Sequence, residues 1–362
     1  MNTPRQLVNS IVLPAIEPTS PQWLSKARAH LDVLTKPLGS LGRLEDFAAQ
    51  MVSIRRQDYA VPLRKAVYVF AADHGITAEG VSAYPSEVTR QMVLNFISHG
   101  AAINVLARLH GADLNVVDVG VDSEFDGIDG LLHRKVRRGA RNMLHEPAMS
   151  SEELTEAFNV GLNLANDVKA QGYSTVAVGE MGIGNTTAAS AITSLLTHKP
   201  VDLITGRGTG LNSEALKHKR QVIEAVLKKH FGDLRKNTPA KPLDILRTVG
   251  GLEIAAMTGF ILGAAQRGVA VVVDGFISTA AAAIAFAAVP QVRDYLFAGH
   301  QSEEPGHQAL LEYLGLKPIL ALNMRLGEGT GAVLAMPILE SAMCLYNQMA
   351  TFESAGVSEA KD

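Results

Sequence analysis

Five short apolar runs punctuate the sequence, and each reaches a glycine with an acidic residue close by. They are "AVYVFAADHG" (66–75), "LNVVDVG" (114–120), "STVAVGE" (174–180), "VAVVVDG" (269–275) and "PILALNMRLGEG" (318–329). Apolar runs without polar alternation are what strands covered on both faces require. Helix-length segments separate them, so the order strand, helix, strand, helix predicts a parallel sheet wrapped by helices with right-handed crossovers. At 362 residues the chain suits one large α/β domain with a helical appendage.

Local signals agree. Ser20-Pro21 offers an N-cap and first-turn pair, and Leu41, Leu44, Ala48, Met51 and Ile54 recur at helical spacing, so roughly the first 60 residues read as helical. Ser150 to Glu153 reads as a capping box, and Gly111 and Gly268 close two helices just before strands. A last helix over about 332–351 is placed to fold back on the N-terminal ones.

Composition excludes several classes of function. With 47% hydrophobic and 19% charged residues the chain is expected to fold, with disorder confined to ends such as 354–362. The net charge is -3 and no basic cluster interleaves with aromatics, so the expected partner is a small molecule and not a nucleic acid. The single cysteine, Cys344, excludes an intrachain disulfide, suits a reducing, cytoplasmic setting and reads as a core thiol. Residues 1–9 lack a basic segment followed by an apolar run, so no secretory signal is expected. The stretch 269–289 is long enough to cross a membrane at roughly 20 residues. Asp274-Gly275 interrupts it, and a buried strand followed by a helix is predicted instead, with no membrane partner.

In an open parallel sheet, ligands gather at the carboxyl ends of the strands. Asp73-His74-Gly75, Glu180 with its glycine loop, Asp274-Gly275 and Gly327-Glu328-Gly329 are therefore the candidate site. Gly179 to Thr186 is close to the phosphate cradle G-x-x-x-x-G-K-[ST], except that Asn185 stands where the lysine belongs. Without that lysine the loop keeps backbone N–H groups, two hydroxyls and a helix N-terminus, enough for one monoester phosphate. A second run, "GRGTGL" (206–211), offers further donors and Arg207, and Lys219 follows on a helix within reach of an anion. The alternative for both runs is a pair of tight turns.

The segment "AVVVDGFISTAA" (270–281) resembles the diphosphate loop of ordinary phosphoribosyltransferases but carries one acid where those carry two. A phosphoribosyl diphosphate substrate is not expected, nor is a metal site. "GHQSEEPGH" (299–307) holds His300, Glu303, Glu304 and His307 and reads as a surface helix start. The residues alone leave open a nucleotide-dependent kinase or phosphatase, which Asn185 argues against, and a non-catalytic nucleotide binder.

Eight segments, in order over about 300 residues, resemble the family of nicotinate-nucleotide:dimethylbenzimidazole phosphoribosyltransferases. They are "LTKPLGSLGRLE" (34–45), "AADHGI" (71–76), "VSAYPSEVTRQMVLNF" (81–96), "HGAAINVLAR" (99–108), "GEMGIGNTT" (179–187), "GRGTGL" (206–211), "DGFISTAAA" (274–282) and "RLGEGTGA" (325–332). In the fourth, His99 stands where the family pattern leads one to expect a glycine. The resemblance implies a Rossmann-like parallel sheet over residues 61–331. It also implies a small helical domain built from both chain ends, 1–60 with 332–362, and a homodimer. It implies transfer of the 5-phosphoribosyl group of nicotinate mononucleotide to 5,6-dimethylbenzimidazole, giving α-ribazole 5′-phosphate and nicotinate for cobalamin assembly, with no cofactor and no obligatory metal.

That chemistry gives the strand-end acids roles. Nicotinate leaves a pyridinium as a neutral ring, but the attacking benzimidazole becomes cationic unless its other N–H is removed. By resemblance Glu328 is the base, and a buried carboxylate flanked by glycines is expected to titrate nearer neutrality. Glu180 would stabilise positive charge on the ribosyl group; capping the next helix is its alternative role. Gly182, Gly184, Asn185, Thr186, Gly206, Gly208 and Lys219 are expected at the phosphate, and Asp73 and His74 near the ribose or as organisers of the site. Ser82, Tyr84, Gln91, Met92 and Leu326 are expected around the flat base.

Overall fold

A computed structural model describes residues 11–57, 62–208, 210–232 and 240–358. The chain ends read above, residues 1–9 and 359–362, and Thr209 of the second glycine run lie outside the described residues.

The long apolar runs become strands because each must be covered on both sides. The strands are β1 (Lys65–Ala72), β2 (Ala112–Gly120), β3 (Leu131–His133), β4 (Thr175–Met181), β5 (Ala270–Val273) and β6 (Leu296–Ala298). All eight residues of β1 are buried. The order is β3-β2-β1-β4-β5-β6 and every pairing is parallel. This is the Rossmann order, an α/β fold with its ligand face at the strands' carboxyl ends. Val178 pairs with Val273 at the last residue of β5, so Glu180 projects past the end of its neighbour.

The helices cover the sheet through close backbone approach. Helix Ser151–Ala170 packs on helix Leu252–Gln266, where a Cβ on Gly161 would collide with the Ala256 carbonyl. Phe260 of the second helix then packs against Tyr68, tilted, and Phe70, edge to face, of β1, with centroids 4.5 and 5.6 Å away. At the chain ends, helix Arg43–Arg55 packs on helix Thr330–Gln348, Leu34 and Thr351 form an antiparallel bridge, and His30 Nε2 lies 2.8 Å from the Tyr346 carbonyl oxygen.

The predicted caps are present. Ser20 Oγ accepts from the Trp23 N–H at 3.3 Å, and Ser150 and Glu153 form the reciprocal capping box. Gly111 and Gly268 adopt φ of +62° and +69° before their strands. His99 takes φ of +60°, the left-handed geometry that favours the glycine expected there. The apolar stretch 269–289 divides into β5 and helix Phe276–Ala288. A second stretch, Glu87–Leu109, has the length and hydropathy of a span, but it is two helices, Glu87–Ile97 and Ala102–Leu109.

Four readings need correction. The run 318–329 is no strand: only Leu320 bridges, to His300, after which the chain leaves the sheet with Leu322 and Leu326 exposed. A strand there would bury those side chains, whereas the segment arches over the strand ends. The edge strands β3 and β6 were not foreseen, because three residues are too few to show a period. Cys344 is half-buried on its helix and not a core thiol. Ser354, expected in a disordered end, lies within helix Phe352–Ala355, which Thr351 caps.

Candidate active site

One cavity opens at the carboxyl ends of β4, β5 and β6. Glu180, Gly182, Asn185, Thr186, Gly208, Gly275, Phe276, Ser302, Glu304, Arg325, Leu326 and Glu328 line it. It lies to one side of the β1/β4 switch point because His74 and Glu253 fill the space beneath the β4 loop.

The β4 loop is built tightly. Its N–H groups are partly spent inside the fold: Ile183 donates to Thr89 Oγ1 at 3.1 Å and Asn185 to the Gly182 carbonyl at 3.1 Å. Gly184, with φ of +97°, serves as N-cap of helix Asn185–Thr197. The side chain of Asn185, which replaces the cradle lysine, donates to the Glu180 carboxylate. Glu180 is therefore held by a side chain, and the helix-cap role is not what the geometry shows.

The cation displaced from the loop is supplied from elsewhere in the sequence. Lys219, buried in helix Ser213–Phe231, donates from Nζ to Thr186 Oγ1 at 2.7 Å, and a Cβ on Gly208 would lie 3.5 Å from that Nζ. Burial brings the Lys219 ammonium down to about 8, against the opposing pull of Glu304. Glu304 faces Lys219 and Arg325 and accepts from the Gly208 N–H. Gly206 packs against the Glu304 carboxylate and Pro305. Arg207 donates to the Leu211 carbonyl at 2.7 Å and to Ser213 Oγ at 3.1 Å, so it fastens its own loop.

At the other end, Gly327, Glu328 and Gly329 adopt φ of +86°, +63° and +85°. A non-glycine residue in that region stores strain, and such outliers gather at functional sites. Gly327 abuts Glu180, whose carboxylate fills the place of a Cβ. Asp274, at the end of β5, accepts from the Gly329 N–H at 3.1 Å and the Ala332 N–H at 2.9 Å, and His300 Nε2 lies 3.6 Å away.

Burial controls the electrostatics. It lifts Glu180 to about 8, with Glu253, Asp274 and Glu328 adding repulsion, and it lifts Glu328, with help from Asp274, to about 7. Glu328 Oε2 and Glu253 Oε2 are buried without a hydrogen-bond partner. Such a basin of carboxylates suits a substrate that brings positive charge. Among the described residues no group of three or more acids, histidines or cysteines has the arrangement of a metal site.

The remaining candidates lie outside the cavity. His74 Nε2 is 2.6 Å from Glu253 Oε1; its ring packs against Gly182 and Gly251, and its Cβ faces Gly184. Burial opposes its charge, but the Glu253 and Asp73 carboxylates outweigh that and raise its pKa. Asp73 accepts from the Asp122 N–H at 2.8 Å and faces Thr89, so both residues brace the loop from behind. Ser82 Oγ accepts from the Tyr84 N–H at 3.2 Å; Tyr84 and Gln91 are exposed and Met92 is half-buried. Of the expected base-binding residues only Leu326 lines the cavity, at its exposed rim.

The segment 299–307 is also corrected. His300, Glu304 and His307 are buried, because the helix Pro305–Leu314 starts beneath the arch and not on the surface. Glu304, Arg325 and Glu253 are site residues the sequence reading missed. Of these only Glu304 carried a signal, in its nearness to two histidines.

A family model described as a phosphoribosyltransferase matches residues 16–357. The nicotinate-nucleotide–dimethylbenzimidazole phosphoribosyltransferase of Geotalea uraniireducens is 52% identical over 349 residues, 96% of this chain and 98% of the relative. That of Geobacter sulfurreducens is 52% identical over 347 residues, 96% of this chain and 97% of its own. The crystal structure of the Thermus thermophilus protein of the same name superposes with a TM-score of 0.86 at 45% identity, covering 94% of this chain and all of that one.

Proposed function

The chain belongs to the family of nicotinate-nucleotide:dimethylbenzimidazole phosphoribosyltransferases, and from that premise we propose how its strand-end cavity does the family's chemistry. The protein is a pentosyltransferase. It moves the 5-phosphoribosyl group of nicotinate mononucleotide to 5,6-dimethylbenzimidazole, giving α-ribazole 5′-phosphate and nicotinate for cobalamin biosynthesis.

The phosphate rests against Lys219, Thr186 and Gly208, with Gly182, Gly184, Asn185 and Gly206 shaping the cradle. One cation and a few N–H groups suit a monoester. The acceptor ring lies against Leu326 with its N–H toward Glu328. Its free nitrogen bonds to the anomeric carbon, the bond to the pyridinium nitrogen breaks with its electron pair staying on nicotinate, and Glu328 takes the acceptor's other proton. Glu180 ionises against the positive charge that develops on the ribosyl group. Asp73 and His74 hold the β4 loop in place. The chemistry asks for no cofactor.

The observation that carries this reading is the placing of two buried carboxylates, Glu328 and Glu180, in one cavity whose other end, at Thr186 and Gly208, adjoins the buried Lys219 ammonium; burial raises both carboxyls. A base working at pH 7 needs a pKa near 7.

We propose further that residues 1–60 with 332–362 form a small helical unit against a 61–331 catalytic unit, and that the protein works as a cytoplasmic homodimer. The exposed apolar side chains Leu38, Tyr84 and Leu322 offer apolar surface to a second copy. Sedimentation equilibrium reads that state directly.

The test of function is a chromatographic assay of purified protein with nicotinate mononucleotide and 5,6-dimethylbenzimidazole in the presence of a metal chelator. Equal amounts of nicotinate and α-ribazole 5′-phosphate are expected. Binding of the mononucleotide without either product would retire the acceptor, and absence of binding would retire the whole reading.

A further inference from the structure

The turn that carries Glu328 is three consecutive left-handed residues, two of them glycine; it closes on itself only through Thr330, whose N–H and Oγ1 donate to the Gly327 carbonyl at 3.1 and 2.8 Å, and the Gly329 N–H is left for a partner outside it. That partner comes from the residue that follows β5. Asp274 Oδ2 accepts from the Gly329 N–H at 3.1 Å and Oδ1 from the Ala332 N–H at 2.9 Å, so one carboxylate spans the turn and the first turn of helix Thr330–Gln348. Asp274 is itself fixed: its N–H donates to Ser278 Oγ at 2.9 Å, and His300 Nε2 stands 3.6 Å from Oδ1. Gly331 leaves room for that ring, whose atoms occupy the place of a Cβ. Both Asp274 and His300 are about 1% exposed.

We propose that Asp274 is a positioning residue: its two carboxylate oxygens clamp the strained turn and so hold Glu328 in register with the acceptor ring. The proposal rests on the reading of Glu328 as the base. Helix-capping alone would need one acceptor oxygen at an exposed end; here the acid is buried, and burying a carboxylate is costly without a purpose that needs its charge. The charged and titratable groups around Glu328 are Glu180 from β4, Asp274 from β5, His300 after β6, Arg325 on its own segment, and Glu304 and Lys219 on the cavity's far side. Glu180 also touches the turn, at Gly327, but Asp274 is the one whose carboxylate accepts from the turn's backbone, and its charge also raises the Glu328 carboxyl.

The experiment is steady-state kinetics of the full chain from pH 5.5 to 9 for the parent, Asp274→Asn, Asp274→Glu and Glu328→Gln. Asparagine keeps one acceptor and removes the charge. It is expected to lower kcat about 10- to 100-fold, as small misplacements of reacting groups do. It should leave the KM for nicotinate mononucleotide within about twofold and move the acid limb of the kcat profile to lower pH. Asp274→Glu keeps the charge but shifts the clamp, so kcat falls while the limb stays. Parental kcat in Asp274→Asn, or a loss with no movement of the limb, overturns the proposal. Should that variant fail to give the parent's circular dichroism, Asp274→Glu decides alone, and parental kcat there sinks the clamp. Parental turnover in Glu328→Gln means instead that the base itself was misassigned.

Discussion

Gly179 and Glu328 meet backbone to backbone: a Cβ built on Gly179 would lie 2.5 Å from the Glu328 carbonyl carbon. The glycine that opens the phosphate loop is thus also the one that lets the Glu328 turn lie on β4. Gly179→Ala should push the turn outward, lowering kcat about 100-fold and also the melting temperature. Kinetics and calorimetry on the variant test this, and parental turnover would show the close approach to be dispensable.

Glu328→Gln removes the proposed proton acceptor with almost no change in shape. We expect kcat to fall by about 10² to 10⁴ while the KM for the mononucleotide changes little. In the parent, kcat should rise with pH through about 7, because burial, and then Asp274, raise this carboxyl and only its ionised form is a base. The variant's residual rate should lose the rise through about 7 and keep only the one that Glu180 imposes at about 8.

Lys219 is the buried cation at the end of the cavity proposed to take the phosphate. Lys219→Met should raise the KM for nicotinate mononucleotide about 10- to 100-fold, equal to about 1.4 to 2.8 kcal/mol. The free ammonium titrates at about 8, so kcat/KM should decline above that pH as the charge is lost. An unchanged KM would move the phosphate to another part of the cavity.

Glu180 titrates above its ordinary 4.5, at about 8, because burial and then the nearby acids disfavour its charge. The folded protein therefore binds this proton more tightly than the unfolded chain does. Its contribution to stability is complete below about 4.5 and is lost as pH rises through about 8. Glu180→Gln has no such loss, so its melting temperature should gain on the parent's between pH 5 and 9, even as activity drops. A constant difference across that range would contradict the buried-charge account.

Much of the sheet was legible because a strand covered on both faces leaves an uninterrupted apolar run, as in Lys65–Ala72 and Thr175–Met181. Capping at Ser20 and Ser150 was legible because it depends on residues three positions apart. The strands Leu131–His133 and Leu296–Ala298 were not, since three residues carry no period and long-range pairing alone defines them. Tyr84, Gln91, Met92 and Ser82 looked alike in sequence to Leu326, and only the fold separates them: Leu326 lines the cavity and the other four do not.

The sequence by itself determined the strand–helix alternation, the acids and glycines at strand ends, and the missing lysine at Asn185, because each is a local pattern or a residue identity. Tertiary structure alone decided that the Lys219 ammonium, expected near an anion, is buried against Thr186, that His74 and Asp73 brace the loop from outside the cavity, and that Glu304 lines the cavity while Asp274 holds the Glu328 turn from behind it. The physical reason is that charge complementarity and burial depend on distances through space, and distances between remote residues exist only once the sheet has closed around them.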